Sequence, residues 1–233
     1  MKAVRGTPKH LSKTGQLDSF TYLMLLFRFS CNYSCLKCFS KGDLPAEVRP
    51  EISLEERFKL INEAKELGGK VVVLAGEGEP SLHGDILPIV SQISSLGMIP
   101  IVYSNGSTLT PDLIDFYKRQ RTVLVIAFDS LNPEKYNGLT GTRGQFEKTV
   151  NNIRRVVESY RELIYTKDDL CVLSVAINTT VTSRNEAEVK LIKDFFGEDV
   201  YFVCNPLARL GQAVGNWNLL VDDEGSVQRQ KAL

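Results

Sequence analysis

The chain has 233 residues, and its 28 basic and 28 acidic side chains give a formal net charge of zero. This balance excludes the basic field of a nucleic-acid-binding protein and the acidic bias of a disordered chain. The first 20 residues are polar and mildly basic, and the apolar run at 22–27 is too short to span a bilayer, so we expect neither a signal peptide nor a membrane anchor. Five cysteines, three of them close together, indicate a reducing, cytoplasmic location rather than a disulfide scaffold.

Strands and helices are predicted to alternate along the chain. Apolar, β-branched runs predict six strands, at 22–27, 71–75, 99–104, 122–128, 170–180 and 200–205. Capping signals and amphipathic spacing predict the intervening helices, at 53–69, about 85–96, 111–119, 143–161 and from a Ser183 cap to about 196. This alternation predicts a single α/β domain with parallel strands and right-handed crossovers, although periodicity leaves open whether its sheet is flat or an open barrel.

The chemically notable side chains follow the predicted strands at their carboxyl ends. They are Cys31–Cys38 after the first strand, residues 76–80 after the second, Ser104–Gly106 at the third, Asp129-Ser130 after the fourth, Asn178 late in the fifth and Cys204-Asn205 at the sixth. Because parallel strands bring these ends to one edge of the sheet, we expect a single shared site there.

Three cysteines, at positions 31, 35 and 38, form the most specific pattern in the chain. A disulfide framework needs an even number of thiols, and a structural zinc site needs four ligands. Three thiolates suit a four-iron four-sulfur cluster with one iron left open. The alternative is a zinc site completed by His83 or a distant cysteine. We expect Cys171 to be a small core residue. Core packing is also favoured for Cys204, although its place at a strand end points it toward the rim of the site.

The motif C-x3-C-x2-C after the first strand of a six-unit α/β chain resembles the radical S-adenosylmethionine (SAM) superfamily. The resemblance runs from about Phe27 to Asn205 and is nearest the branch that contains peptide-modifying (SPASM-type) and molybdenum-cofactor biosynthesis enzymes. It implies an open partial (β/α)6 barrel over residues 21–205, between a polar extension (1–20) and a C-terminal tail (206–233). It also implies that the three cysteines hold one 4Fe–4S cluster, with SAM on the fourth iron and a low-potential electron donor such as flavodoxin or ferredoxin. Reductive cleavage of SAM then yields a 5′-deoxyadenosyl radical.

The resemblance further implies SAM contacts. The segment Gly76-Glu77-Gly78-Glu79 resembles the family's Gly-Gly-Glu-Pro motif, in which carbonyls and one carboxylate accept the ammonium of SAM; Glu79 matches the family's acid, while Glu77 stands where glycine is usual. The remaining expected contacts are Ser104 and Asn105 for the methionyl or ribose part, Ser130 and Asn178 for the ribose, and Arg143 for the carboxylate.

Lys37 departs from the family pattern, because an aromatic residue that packs on adenine is usual before the third cysteine. Either Phe39 supplies a ring instead, or only the backbone there contacts adenine. Purely structural roles are the alternatives to SAM binding at the other positions: a turn at Asn105-Gly106, a helix cap at Ser130 and a solvated Arg143.

An open barrel leaves room for a bulky substrate, which favours a peptide or protein. The segment 205–220 also resembles the connection that precedes the cysteine-rich extension of peptide-modifying members. Two alternatives stay open: the same chemistry on a nucleotide, cofactor precursor or other small molecule, and a non-catalytic iron–sulfur sensor. The segment 76–80 and Asn178 argue against the sensor, which has no use for SAM-binding groups.

Overall fold

The computed structural model describes residues 20–27, 31–40, 51–167 and 170–222. Six parallel strands form one sheet in the order β1-β2-β3-β4-β7-β8, and β5 pairs antiparallel with β6 in a separate hairpin. The strands are β1 Tyr22–Phe27, β2 Val71–Gly76, β3 Ile99–Ser104, β4 Val123–Ala127, β5 Tyr165–Lys167, β6 Leu170–Val172, β7 Val175–Val181 and β8 Tyr201–Pro206. The expected N-terminal extension lies outside the described residues, except for Phe20.

Helices connect the strands of the large sheet. They are α1 Leu54–Glu66, α2 Ile86–Ser95, α3 Pro111–Arg119, α4 Pro133–Thr140, α5 Phe146–Tyr160 and α6 Val189–Phe196, followed by the short α7 Gln212–Gly215 and α8 Trp217–Leu220. Local sequence explains their starts: Ser53 and Glu56 form a reciprocal capping box at α1, and the Thr110 side chain caps α3 ahead of Pro111. None of the described helices is long and apolar enough to cross a bilayer.

The two faces of the sheet differ in what covers them. Side chains alternate between faces along each strand, and one set packs under the helices as the main core, including the fully buried Leu74, Leu124 and Ile177. The other set is uncovered, with Tyr22, Met24, Leu26, Ile99, Tyr103 and Val203 each 38–51% exposed. We call this uncovered side the concave face. The sheet does not close, and the architecture is an open partial (β/α)6 barrel.

The structure corrects three local predictions. Residues 170–180 are not one strand: the chain breaks at Leu173-Ser174 between β6 and β7, and Cys171 is exposed in the hairpin instead of lying in the core. Helix α4 was not predicted, although Asn132 caps it by accepting a hydrogen bond from the Lys135 amide. Ser183 does not cap α6, because its hydroxyl donates to the Leu220 carbonyl and the helix begins only at Val189.

The described part of the C-terminal tail packs back onto the sheet's carboxyl edge. A second, small core forms there from Leu139, Leu207, Ala213, Leu220 and Val221, with Leu36 and Trp217 against it. Since Leu36 lies between the second and third cysteines, the tail is held directly against the cysteine segment.

Candidate active site

Helix α4 holds one side of the cysteine segment through backbone contacts. The amides of Ser34 and Leu36 donate to the carbonyls of Thr140 and Leu139, at 3.0 and 2.9 Å. Gly141 ends the helix with φ +63°, and a Cβ there would come within 2.4 Å of the Ser34 carbonyl oxygen. The close approach therefore requires glycine.

The tail holds the other side of the same segment. The amide of Gln212 donates to the Cys38 carbonyl at 2.8 Å. A Cβ on Gly211, which has φ +54°, would come within 2.4 Å of the Phe39 carbonyl oxygen and 2.6 Å of that of Cys38. Two glycines thus let two elements clamp the backbone that carries the cysteines.

The three thiols lie within electrostatic range of one another. Burial raises the pKa of the Cys35 thiol to about 12; Asp129, Cys38 and Cys31 also raise it, while Lys37 opposes them. Metal binding stabilises the thiolate form of such cysteines, as iron does in a cluster, and three neighbouring thiols can supply three of its ligands. The donor set therefore fits an iron–sulfur cluster.

A single metal ion fits less well. Among the described residues, no three His, Cys, Asp or Glu side chains converge on one point as a zinc ion demands, whereas a cluster takes each thiolate on a different iron. The ring of His83 is engaged elsewhere, because Nδ1 accepts from the Asp85 amide at 3.1 Å and Nε2 lies 3.3 Å from Glu51 Oε2. These contacts of His83 do not favour a zinc site completed by this residue.

Lys37 reaches from the cysteine segment into a buried polar cluster at the ends of β4 and β7. Its Nζ lies 2.6 Å from both Asp129 oxygens and donates to Thr180 Oγ1 at 2.9 Å. Asp129 is 2% exposed and also accepts from the Thr180 amide at 2.9 Å. Asn185 completes the cluster by donating to the backbone carbonyls of Asp129 and Thr180. The residue that departs from the family pattern is therefore an ion-pair partner.

Glu79 is a buried carboxylate with neutral partners. It is 3% exposed, and its two oxygens accept from the amides of Asn105 at 2.6 Å and Ser81 at 3.3 Å. Burial raises the pKa of Glu79, while these hydrogen bonds and one from the Ser104 side chain act to lower it. The hydrogen-bond partners of Glu79 among the described residues are all neutral, so its carboxylate is able to accept a positively charged group of a ligand.

Asn105 links Glu79 to the cysteine segment. Its side-chain amide donates to Asn32 Oδ1 at 2.9 Å and approaches Cys31 Sγ at 4.0 Å, while its Oδ1 accepts from the amide and hydroxyl of Ser107. A hydrogen-bonded path thus runs from the loop after β2, through the end of β3, to the first cysteine.

The structure also brings Glu77 and Asn178 to this edge. Glu77 is half-buried directly after β2. Asn178 lies on the concave face, where its Oδ1 accepts from Asn205 at 2.6 Å. Gly76 is the last residue of β2, and Gly78 lies in the loop that follows. Packing requires glycine at position 76, since a Cβ there would come within 2.3 Å of the Phe27 carbonyl oxygen.

The other predicted contacts are either buried near this edge or exposed at its rim. Ser130 is fully buried and donates to Glu188 Oε2 at 2.7 Å, and Ser104 is 5% exposed with its hydroxyl accepting from the Gly106 amide. Phe39, at 60% exposed, and Arg143 are open to solvent beside the cysteine segment. Cys204 alternates with Asn205, so it lies on the helix side of β8 rather than toward the site.

Sequence reasoning missed the partners that hold the site together. Asp129 follows the fourth strand as predicted, and Thr180 follows Asn178 by two residues, which puts Thr180 and Asn178 on one face. That spacing was a usable signal. No local signal marks Gly141 and Gly211, because their need for glycine arises only from backbone brought close by the fold.

Comparison with known proteins agrees with this geometry. The Radical SAM superfamily model matches residues 26–177, and the chain belongs to this superfamily of enzymes, whose members bind SAM and an iron–sulfur cluster.

Individual relatives are longer than this chain. It is 29% identical over 164 residues to the AdoMet-dependent heme synthase of Methanosarcina barkeri, covering 68% of this chain and 42% of that protein. It is also 29% identical over 157 residues to the GTP 3',8-cyclase of Haemophilus influenzae, covering 64% and 46%. A similar fold occurs in SuiB of Streptococcus suis, whose structures include complexes with S-adenosylmethionine and with the precursor peptide SuiA. The SuiA complex has a TM-score of 0.64 and 16% identity over 82% of this chain and 40% of SuiB. The chain spans less than half the length of these proteins.

Proposed function

We propose that this chain is the catalytic core of a radical SAM enzyme that modifies a peptide or protein. Cys31, Cys35 and Cys38 hold one 4Fe–4S cluster. When bound, the cluster supplies one electron that cleaves SAM to methionine and a 5′-deoxyadenosyl radical, which takes a hydrogen atom from the substrate to give 5′-deoxyadenosine and a substrate radical. The electron comes from a low-potential donor such as flavodoxin or ferredoxin, in a reducing compartment that suits five cysteines outside any disulfide.

The chain's own residues bind and orient SAM. Glu79 complements its ammonium, with the carbonyls of Gly76 and Gly78 as further acceptors, and Asn178 receives the ribose on the concave face. Glu77 is a second acceptor beside the ammonium. At the rim, Arg143 pairs with the carboxylate and Phe39 covers the adenine. Ser104 and Ser130 act through the backbone that they hold in place, since both hydroxyls are buried.

The single observation that carries the substrate class is that none of the described strand side chains on the concave face is charged. The strand register puts Leu26 beside Ala75, Tyr103 beside Val125 and Ala127 beside Asn178, and it assigns no charged side chain to this face of the six described strands. A nucleoside triphosphate needs Arg, Lys or a metal ion around its phosphates. A peptide instead packs apolar side chains on Tyr22, Met24 or Leu26 and meets amide groups at Asn178 and Asn205.

Two relatives bear on this choice. SuiB, which shares the fold, was crystallised with a precursor peptide, and this supports a peptide substrate. The cyclase relative is named for GTP, and a nucleotide or other small molecule is therefore the alternative that the experiment must include.

The test compares two probes with reduced, anaerobically reconstituted protein. A pool of linear peptides should increase 5′-deoxyadenosine formation from SAM several-fold and yield peptides of changed mass, whereas GTP should not stimulate it. Stimulation by GTP alone, with a changed nucleotide mass, would contradict the peptide assignment.

A charged variant of the concave face is the matched control. Met24→Asp should retain the basal cleavage of SAM and lose the stimulation by peptides, because a carboxylate on this face opposes apolar contact. Leu87, an apolar residue on α2, is 43% exposed against 50% for Met24, and Leu87→Asp should retain both the basal cleavage and the stimulation. Equal loss in the two variants would show that the concave face does not recognise the peptide.

A further inference from the structure

The ion pair of Lys37 and Asp129 is placed to act on the cluster electrostatically. Lys37 is the residue before the third cysteine, and only 11% of its side chain is exposed; the side chain of Asp129 is 3% exposed. Lys37 lies between Cys35 and Cys38 in the chain, and its Nζ is 2.6 Å from both Asp129 oxygens, so both charges are held at the cysteine segment. A charge in a poorly solvated setting acts strongly on its neighbours, because little water screens it.

A buried ion pair needs an explanation other than stability. The cost of desolvating two charges often cancels their attraction. Apolar residues of similar size would therefore stabilise the position of this segment equally well. The clamp by α4 and the tail already fixes the same backbone at Ser34, Leu36 and Cys38. What the pair adds is a cation and an anion beside a centre whose reduction potential depends on local charge.

We propose that Lys37 and Asp129 set the reduction potential of the cluster, Lys37 raising it and Asp129 lowering it. This proposal rests on the cluster of the proposed function. Both side chains act through the cluster and do not touch the substrate, so neither is a catalytic residue. One electron enters the cluster from the low-potential donor, and neither side chain gains or loses a bond. A nearby cation stabilises the extra negative charge of the reduced cluster, and a nearby anion destabilises it.

Opposite single-charge variants separate this role from a structural one. In an EPR-monitored redox titration without SAM, Lys37→Met should move the midpoint to more negative values and Asp129→Asn to more positive values. We expect each to change the ratio of reduced to oxidised cluster at a fixed potential by about tenfold, which is about 59 mV for one electron. The double variant should return close to wild type, because net charge is restored.

Two further variants control the experiment. Lys37→Arg keeps the charge and should keep the potential. Lys135→Met removes a cation from another ion pair, 2.6 Å from Glu188, which joins α4 to the turn before α6 and not to the cysteine segment; its potential should match wild type.

Shifts of the same sign in both single variants, or no shift in either, would overturn the inference. If Lys37→Met fails to bind iron, Asp129→Asn decides alone, since its side chain can still accept from the Thr180 amide; an unchanged or more negative midpoint then contradicts the inference. A wild-type protein that holds no iron is a different result, which refutes the proposed function itself.

Discussion

Glu79 and Glu77 show how burial separates two carboxylates in one loop. Glu79 matches the family's acid and is buried among neutral donors, while Glu77 is half-buried at the end of β2. Burial raises the pKa of Glu79. A SAM ammonium would offset that unfavourable burial, so this residue should contribute more to SAM affinity than Glu77.

We predict that Glu79→Gln weakens SAM binding much more than Glu77→Gln does. Glutamine still accepts from the Asn105 amide, so the variant removes the charge and retains the contact with the β3 loop. Loss of a charge-assisted hydrogen bond costs about 1.5–3 kcal/mol, or roughly ten- to a hundredfold in affinity. Calorimetric titration with SAM measures this, and equal small losses in the two variants would contradict the assignment.

The raised pKa of Glu79 also predicts a pH dependence. A carboxyl whose pKa is higher in the folded than in the unfolded protein contributes stability below its ordinary value of about 4.3, and this contribution is lost as pH rises through the folded pKa. SAM should bind more tightly across the same rise, because only the carboxylate attracts the ammonium. Thermal melts and SAM titrations of wild type and Glu79→Gln at several pH values test this; identical pH profiles would contradict it.

At the scale of elements, the cysteine segment is held by α4 on one side and by the tail on the other. Both contacts depend on a glycine with positive φ, at 141 and 211, against backbone oxygens. Backbone atoms cannot move aside as a flexible side chain does. A methyl group at position 141 would therefore push α4 away from the cysteine segment, and one at position 211 would push the tail away from it.

We predict that Gly211→Ala destabilises the fold and loosens the third cysteine. Its strained φ and the clash with the carbonyls of Cys38 and Phe39 should together cost about 1–3 kcal/mol. Thermal unfolding and the yield of bound iron after reconstitution measure the effect. The control is Gly215→Ala, where a Cβ meets nothing within 4 Å; equal behaviour of the two variants would exclude the clamp.

Much of this element order could be predicted from the sequence, because strong local signals mark it. The apolar runs of β2, β3 and β4 and the caps at Ser53 and Thr110 are such signals, and the strand ends located the site. Helix α4 is short and weakly amphipathic, and the break at Leu173-Ser174 carries no turn residue such as Gly or Pro, so both were missed. The pair of Lys37 with Asp129 joins residues 92 positions apart, which no local pattern encodes.

In the molecule as a whole, three of the five cysteines lie in one segment and the other two lie in separate places away from it. Cys31, Cys35 and Cys38 lie together, Cys171 is exposed in the β5–β6 hairpin and Cys204 lies on the helix side of β8. We predict one cluster and no auxiliary centre, with iron and sulfide each near about four per chain after reconstitution. A count near eight that falls only to about four in Cys31→Ala would show a second cluster.

We propose that three cysteines hold a cluster that cleaves SAM. Analysis of the products formed by the reduced, reconstituted protein is the decisive test of this proposal. The protein should convert SAM to 5′-deoxyadenosine and methionine, slowly without substrate. Cys31→Ala, Cys35→Ala and Cys38→Ala should each abolish this, whereas Cys171→Ser should retain it. Full cleavage of SAM by the Cys35→Ala protein would contradict the account.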